Sequence, residues 1–362
     1  MSRRIGIVGG GLAGLHAAAL LERQGCEPVL LEGRDRLGGR LLAVRADERE
    51  ADTAAFDLGA TWYWPDLQPA FADWIASLGL RTFAQPVRGD LVFEGRPGQL
   101  QRVPDFDGSP VAMRVAGGMA TLADAARSAL RATALHLGHR VEAMSVGARG
   151  VTVAATTPGG GCASFDVDRV LLAVPPRLAR ATIRFDAPLP EAVAADWDAT
   201  DTWMAPHAKY VAVYDAPFWR EQGLSGGARS RTGPLAEVHD ASPPQGPGAL
   251  FGFVGVPAAQ RRRVPAGALR ELCRAQLGRL FGARAAEPLR DWLQDWAAEP
   301  LTATEADLAS AGGHGHGALQ VTDGPWAGSI FGIASEWSTA FPGYAAGAVD
   351  AARGGVARML GT

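Results

Sequence analysis

A glycine-rich turn near the start of the chain most constrains what this sequence can fold into. Gly9, Gly11 and Gly14 stand in GxGxxG spacing between a short β-branched run at 5–8 and an Ala- and Leu-rich stretch that predicts a helix over 12–23. The first glycine allows a tight turn, the second lets backbone approach a pyrophosphate, and the third lets the helix pack closely on the strand. The motif therefore predicts the first strand, turn and helix of a dinucleotide-binding fold.

An acidic residue ends the second predicted strand. Glu32 closes the mostly apolar run 28–32 and lies 23 residues after Gly9. This is close to the roughly 20-residue offset at which a carboxylate binds a ribose hydroxyl in such folds. Because a negative charge there disfavours a 2′-phosphate, we expect a ligand with an ADP-ribose half that lacks this phosphate.

Composition narrows the class of protein. A length of 362 residues predicts one or two domains, and a net charge of −3 gives no reason to expect a nucleic acid or an anionic membrane as partner. The three cysteines are scattered without metal-ligand spacing or even pairing, which predicts a reducing compartment and a cytoplasmic location. No apolar run reaches the ~18 residues of a membrane span, and we predict no metal site.

Several motifs together resemble the flavin-containing amine oxidase family, which includes the monoamine and polyamine oxidases. They are the GxGxxG motif, Glu32, the following Gly38-Gly39-Arg40, and the segment 330–348 with its Gly343-Tyr344. The resemblance implies an α/β fold with a Rossmann-like FAD-binding domain, a doubly wound sheet, and a smaller substrate domain on a mixed β-sheet. It also leads us to expect none of the membrane tail that the mitochondrial members carry.

The resemblance also implies how the chain divides into domains. The FAD-binding domain is expected to comprise 1–66, 112–190 and 313–362, and the substrate domain 67–111 and 191–312. In the family the interval between the segments at Trp62 and Gly117 carries a larger helical part, whereas here it holds only 54 residues. The substrate domain is therefore expected to be trimmed.

The motif positions imply which residues contact the cofactor. They are Gly9, Gly11, Ala13, Gly14, Glu32, Gly39, Arg40, Gly59, Ala60, Thr61, Trp62, Val141, Ser335, Glu336 and Ala345. Glu305 and Ala306 stand where monoamine oxidases have the cysteine bonded to flavin and a tyrosine of the substrate cage. We therefore expect non-covalent FAD, and a cage that lacks one aromatic wall.

Lys209 and Tyr344 are the implied catalytic residues. Of the 35 basic residues only Lys209 is a lysine, and it lies ten residues before Trp219 in a Lys-x₈-Phe-Trp pattern similar to that of monoamine oxidases. In that family this lysine holds a water against flavin N5, a task for a compact ammonium that arginine cannot replace. Tyr344 is expected to stand over one face of the substrate.

The activity implied by the resemblance is oxidation of an amine. Hydride would pass to flavin N5, the imine would hydrolyse, and O₂ would be reduced to H₂O₂. A desaturase or dehydrogenase of a hydrophobic substrate on the same scaffold, or a non-redox flavoprotein, are the alternatives. We expect a small-molecule substrate and no membrane span, and oligomeric state is not predicted.

Other segments carry weaker patterns. The stretch 135–143 predicts a single strand, and the Gly-, Ser- and Pro-rich residues 221–248 predict a loop. The run Arg261–Arg263 predicts a solvated turn. His314 and His316 have no other metal ligands near them in sequence, which favours a flexible loop.

Overall fold

The computed structural model describes residues 3–45, 54–104, 110–309 and 313–361. The helices are α1 (Leu12–Arg23), α2 (Pro69–Ser77), α3 (Ala120–Ser128), α4 (Pro176–Thr182), α5 (Glu191–Ala199), α6 (Ala258–Arg261), α7 (Ala266–Phe281) and α8 (Ala345–Leu360). The strands are β1 (Arg4–Val8), β2 (Glu27–Leu31), β3 (Ala43–Arg45), β4 (Ala55–Asp57), β5 (Thr82–Ala84), β6 (Asp90–Arg96), β7 (Gln99–Val103), β8 (Met113–Val115), β9 (Ala134–His136), β10 (Arg140–Gly147), β11 (Gly150–Thr156), β12 (Cys162–Val167), β13 (Arg169–Leu172), β14 (Arg184–Phe185), β15 (Ala208–Tyr214), β16 (Leu224–Ser230), β17 (Leu235–Asp240), β18 (Gly248–Val254), β19 (Arg290–Asp295) and β20 (Ile330–Gly332).

The chain forms two compact units. The first consists of Met1–Leu41, Thr121–Ala205 and Pro300–Thr362, and the second of Leu42–Ala120 and Pro206–Glu299. The predicted domain boundaries differ from these units. The described parts of 42–66 and 112–120 belong to the second unit, and those of 191–205 and 300–312 to the first.

The first unit is built on a five-stranded parallel sheet in the order β9-β2-β1-β13-β20. Strand β1 is apolar and buried because it has neighbours on both edges, and α1 connects it to β2. The strand order reverses at β1, and in open α/β sheets ligands bind at the carboxyl ends of the strands beside such a reversal. The GxGxxG turn follows β1 at that end of the sheet. The predicted Rossmann-like α/β fold is confirmed.

A second sheet in the first unit corrects one sequence prediction. Strands β10, β11 and β12 form antiparallel hairpins, with a turn near 158–161 between β11 and β12. The single strand predicted over 135–143 is wrong. A turn at Leu137-Gly138 divides it, because β9 completes the parallel sheet whereas β10 pairs in the second sheet.

The second unit is built on a seven-stranded sheet in the order β19-β15-β18-β17-β16-β6-β7. Strands β16 and β6 run parallel and the other neighbours antiparallel, so the predicted mixed sheet is confirmed. The loop predicted over 221–248 is wrong, because β16 and β17 lie within it. The glycines that suggested a loop have a packing role. A Cβ on Gly226 would lie 2.7 Å from Nε1 of Trp219.

Arg261 also differs from its prediction. Its side chain is buried and forms an ion pair with Asp295, with Nη2 and Oδ1 2.6 Å apart. Nη2 also donates to the carbonyl oxygen of Pro206 at 2.9 Å. The solvated turn predicted for Arg261–Arg263 is therefore wrong at Arg261, because Asp295 compensates its buried charge.

Membrane spans were sought in the described ranges. Each helix there is too short, or too polar, to cross a bilayer.

Candidate active site

Two glycine turns of the first unit form a cradle from backbone atoms. The N–H of Gly38 donates to the carbonyl oxygen of Gly10 at 2.9 Å. A Cβ added to Gly39 would lie 3.2 Å from the Cα of Gly11, and a Cβ added to Gly14 would lie 2.0 Å from the carbonyl oxygen of Gly9. Side chains would therefore separate the turns and push α1 away from the strand.

The N-terminus of α1 opens into this cradle. The helix begins at Leu12 with no side-chain cap and no acidic residue in its first turn, where Ala13 also lies. The first N–H groups of a helix lack partners within it, and they carry about half a positive charge together. This arrangement fits a diphosphate, because its oxygens would accept from these N–H groups and its negative charge would complement the helix end.

Glu32 stands immediately after β2 with a buried carboxylate. Oε2 accepts from the N–H of Gly10 at 2.6 Å, and Oε1 accepts from the N–H of Arg34 at 2.8 Å. Each carboxylate oxygen has two lone pairs, so these bonds leave acceptor capacity for a ribose hydroxyl. Glu32 thus also ties the GxGxxG turn to the end of β2, which the motif alone did not predict.

Arg40 joins three segments of the first unit. Its Nη1 lies 2.5 Å from Oε1 of Glu336 and 2.9 Å from the carbonyl oxygen of Trp203, to which it donates. Its Nη2 donates to Oε2 of Glu336 at 2.9 Å and to Oγ of Ser335 at 3.1 Å. Because a guanidinium has five N–H donors, these four bonds leave Nε for the diphosphate expected from the sequence. The predicted residues 40, 335 and 336 therefore come together as one ion-pair group.

Tyr344 lies directly before α8, and its ring is stacked. The ring planes of Tyr344 and His314 are 4° apart with centroids 3.8 Å apart, and Trp203 stacks on His314 with centroids at 4.0 Å. Nδ1 of His314 is 2.8 Å from the carbonyl oxygen of Pro342. His314, expected in a flexible loop, instead packs between two aromatic rings and covers one face of Tyr344.

Lys209 is fully buried in the second unit, with 0% of its surface exposed. Its Nζ donates to the carbonyl oxygen of Gly59 at 3.1 Å and to Oγ1 of Thr61. The ring centroids of Phe251 and Phe253 lie 4.0 and 5.7 Å from Nζ. Two neighbouring strands position these groups, because Lys209 on β15 pairs with Phe253 on β18. The lysine that the sequence singled out therefore contacts the segment 59–61 that it also singled out.

The electrostatics of Lys209 involve two residues that sequence reasoning missed. Burial lowers the pKa of Lys209, and Arg114 lowers it further, whereas Asp57 raises it. Burial raises the pKa of Asp57, against the opposing effects of Lys209 and Arg114. An acid inside the apolar run 55–58 was the only sequence signal for Asp57.

Aromatic side chains surround Trp62 in the same unit. Its ring contacts His239 at 4.7 Å and Phe251 at 5.2 Å between centroids, and its Nε1 donates to Oε1 of Gln85 at 2.6 Å. Sequence reasoning missed His239 because β17 lies in the stretch predicted as a loop. Once β17 was known, the pairing of its residues with those of β18 could have identified His239, because His239 lies opposite Phe251.

The remaining predicted positions lie in both units. Ala60 is between Gly59 and Thr61 after β4, Val141 is on β10, and Ala345 is the first residue of α8. Within the first unit the structure brings Gly9, Gly11, Glu32 and Gly39 together. Binding of the cofactor by these residues stays a prediction.

Comparison with known proteins decides the family. The profile of flavin-containing amine oxidoreductases matches residues 98–360, and that of NAD(P)-binding Rossmann-like domains matches residues 7–78. The chain belongs to the flavin-containing amine oxidoreductase family. It is therefore an oxidoreductase of a family that uses flavin, and the resemblance inferred from the sequence is confirmed.

Two relatives align with nearly the whole of this flavin amine oxidoreductase chain. AofH of Mycobacterium tuberculosis, assigned as a flavin-containing monoamine oxidase, is 29% identical over 444 aligned positions that cover 93% of each chain. Putrescine oxidase of Kocuria rosea is 26% identical over 439 positions, which cover 89% of this chain and 88% of that protein. Both alignments are longer than the 362 residues here, so these relatives carry insertions relative to this chain.

A solved structure shows the same fold. A variant of putrescine oxidase matches with a TM-score of 0.80 at 22% identity, covering 100% of this chain and 99% of that one.

We predict that Arg40→Met destabilises this oxidoreductase by about 3 kcal/mol, because it leaves the carboxylate of Glu336, 2% exposed, without its cation. Urea unfolding at matched flavin content measures the loss. The double variant Arg40→Met, Glu336→Met should recover most of it, since no buried charge then remains unpaired.

Asp215→Asn is the control, because the pair of Asp215 with Arg284 is exposed and should contribute nothing measurable. A double variant as unstable as the sum of its two single variants would contradict the coupling.

Proposed function

We propose that this chain oxidises a small amine with non-covalently bound FAD and uses O₂ as the electron acceptor. The observation that carries the proposal is the single lysine of the chain, buried and bonded to Gly59 and Thr61. Family membership and the long alignments with proteins named as amine oxidases support the choice of an amine. The balanced reaction converts R-CH₂-NH₂, O₂ and H₂O into R-CHO, NH₃ and H₂O₂.

The first unit would hold the nucleotide half of FAD. The diphosphate would bind the N–H groups at the start of α1, between the turns at Gly11 and Gly39, with Ala13 and Gly14 in that helix. The carboxylate of Glu32 would accept from the ribose hydroxyls, and Val141 would supply backbone groups to adenine. Arg40, Ser335, Glu336 and Ala345 would border the diphosphate and the ribityl chain.

FAD would supply the hydride acceptor for the carbon next to the amine nitrogen. The segment Gly59, Ala60, Thr61 and Trp62 would lie along the flavin ring, by the resemblance. Two of the three N–H donors of the Lys209 ammonium bond Gly59 and Thr61, and the third would hold a water at the ring. Phe251 and Phe253 exclude solvent from the ammonium and so strengthen its electrostatic effect.

Tyr344 would orient the substrate. His314 stacks on one face of its ring, so that face is closed to a substrate. Trp203 supports His314 from behind, which fixes the plane of the tyrosine ring. This stack belongs to a chain in which Ala306 replaces the expected cage tyrosine.

Anaerobic mixing with a panel of amines, amino acids and polyenes tests the proposed reaction. We expect at least one small amine to bleach the flavin absorbance, with formation of the corresponding aldehyde. Bleaching by a polyene with no response to any amine would instead favour desaturation. No bleaching by any compound would favour a flavoprotein without net redox chemistry.

The cofactor is predicted to leave the denatured protein. Because Glu305 replaces the cysteine that bonds flavin in monoamine oxidases, acid precipitation should release FAD into the supernatant. Chromatography of the supernatant distinguishes FAD from FMN. Yellow colour retained in the pellet would contradict non-covalent binding.

Lys209→Met should slow the reaction of the pre-reduced enzyme with O₂ by at least about tenfold. A preorganised electrostatic group is typically worth about 10²–10³ in rate when negative charge develops near it. Stopped-flow mixing with oxygenated buffer measures the rate, and flavin content and circular dichroism serve as controls for cofactor and fold. A wild-type rate would remove Lys209 from the oxygen reaction.

A further inference from the structure

Two buried charges of the second unit have no part in the proposed reaction. The residue surfaces of Asp57 and Arg114 are each 3% exposed, and that of Lys209 is 0% exposed. Charged groups are seldom buried unless they are paired, because leaving water costs them much of their hydration free energy. Lys209 has a proposed task, so the presence of Asp57 and Arg114 needs a physical reason.

Asp57 is held firmly but only by one of its oxygens. It ends β4, and its Oδ1 accepts from the backbone N–H of Met119 at 2.7 Å. Its Oδ2 is buried and makes no hydrogen bond within the described part of the chain. A carboxylate in this state retains its negative charge only where nearby cations stabilise it. The cations that act on it are Lys209 and Arg114.

Lys209, in turn, has no negatively charged hydrogen-bond partner among the described residues. The acceptors of its Nζ, the carbonyl oxygen of Gly59 and Oγ1 of Thr61, are both neutral. A carboxylate at longer range would add the opposite charge that these acceptors lack. Asp57 is the acid that acts on Lys209, and it lies two residues before Gly59, whose carbonyl oxygen accepts from Nζ.

The other charged and titratable groups near Lys209 oppose its protonation. Arg114 lies on β8 and repels the ammonium. His239 lies on β17, and burial lowers its pKa, which disfavours its charged form. Among the charged groups described around Lys209, Asp57 is thus the one that favours the charged form of the lysine.

We propose that Asp57 acts through Lys209 as its buried counter-charge and keeps protonated the ammonium that Gly59 and Thr61 hold. The inference rests on the proposed function for its catalytic meaning, because a neutral amine at Nζ would lose one of three N–H donors. The two donors bound by Gly59 and Thr61 would then leave none for a water at the flavin. Asp57 therefore preserves the third donor.

The single lysine makes a direct measurement possible. Lysine labelled with ¹³C at Cε gives one side-chain resonance from the FAD-loaded protein, which is expressed with a lysine-free tag, and its shift against pH reports the titration of Lys209. In Asp57→Asn we expect the pKa of Lys209 to fall by about 1–3 units, because an opposite charge nearby is lost. Asparagine Oδ1 can still accept from Met119. Unchanged titration would overturn the proposal.

Glu94→Gln is the matched control. Glu94 is also buried on the sheet of the second unit, but its charge is paired with Arg279. Its removal should leave the Lys209 titration where it is in the wild type. A shift as large as that in Asp57→Asn would mean that any buried acid has this effect, and would overturn a specific role for Asp57.

Thermal unfolding supplies a second measurement if Asp57→Asn is unstable. Asp57→Asn should lower the melting temperature less in a Lys209→Met background than in the wild type, because no ammonium is left uncompensated. If Asp57→Asn does not fold alone, the double variant should fold. Equal losses in both backgrounds, or failure of both variants to fold, would contradict the coupling.

Oxygen kinetics separate this inference from the proposed function. A lowered Lys209 titration in Asp57→Asn, with reoxidation slowed above the new pKa, would support both. A lowered titration with wild-type reoxidation at every pH would leave the coupling standing and remove Lys209 from the oxygen reaction. An unchanged titration overturns the inference whatever the reoxidation rate is.

Discussion

Two glycine turns of the first unit approach each other with only backbone between them. A Cβ at Gly39 would lie 3.2 Å from the Cα of Gly11, and one at Gly14 would lie 2.0 Å from the carbonyl oxygen of Gly9. This steric constraint brings the start of α1 beside Glu32 and next to the turn that carries Arg40. The positive end of the helix, the Glu32 carboxylate and the Arg40–Glu336 pair all lie around that approach. A nucleotide diphosphate fits what the turns leave uncovered.

The second unit places its charge in an apolar setting. The Lys209 ammonium is fully buried against Phe251 and Phe253, and this burial lowers its pKa and so favours loss of its proton. Asp57 opposes this loss from the end of β4. A buried cation that is already in place can stabilise negative charge as it develops nearby. The surrounding groups then need not reorganise during the reaction. The burial of Lys209 is thus the feature on which its proposed role in the oxygen reaction depends.

Local sequence patterns predicted correctly those elements that depend only on neighbouring residues. The helix over 12–23 is confirmed at both ends, because the glycine turn and the apolar period specify it without help from distant residues. The strands within 221–248 were not predictable, since Gly226 is there to make room for Trp219, a contact that composition does not reveal. Arg261 was misjudged for the same reason, because Asp295 lies 34 residues away in sequence.

The candidate site divides in a similar way. Lys209 stood out because the chain uses arginine everywhere else, and its contact with Thr61 agrees with their separate sequence signals. Asp57, Arg114 and His239 did not stand out, because they lie on separate strands that come near Lys209 only through the tertiary fold. The stacking of His314 on Tyr344 likewise depends on two segments 30 residues apart. Pairwise tertiary contacts, rather than residue type, decided each of these cases.

Reaction stoichiometry shows most directly whether the chain is an amine oxidase with oxygen as acceptor, as we propose. An oxygen electrode, a peroxide assay and an aldehyde assay are run together on the flavin-loaded enzyme with an amine that it accepts. For each amine lost, we expect the enzyme to consume one O₂ and to form one H₂O₂ and one aldehyde. No O₂ consumption, with aldehyde formed only after an artificial electron acceptor is added, would contradict oxidase activity.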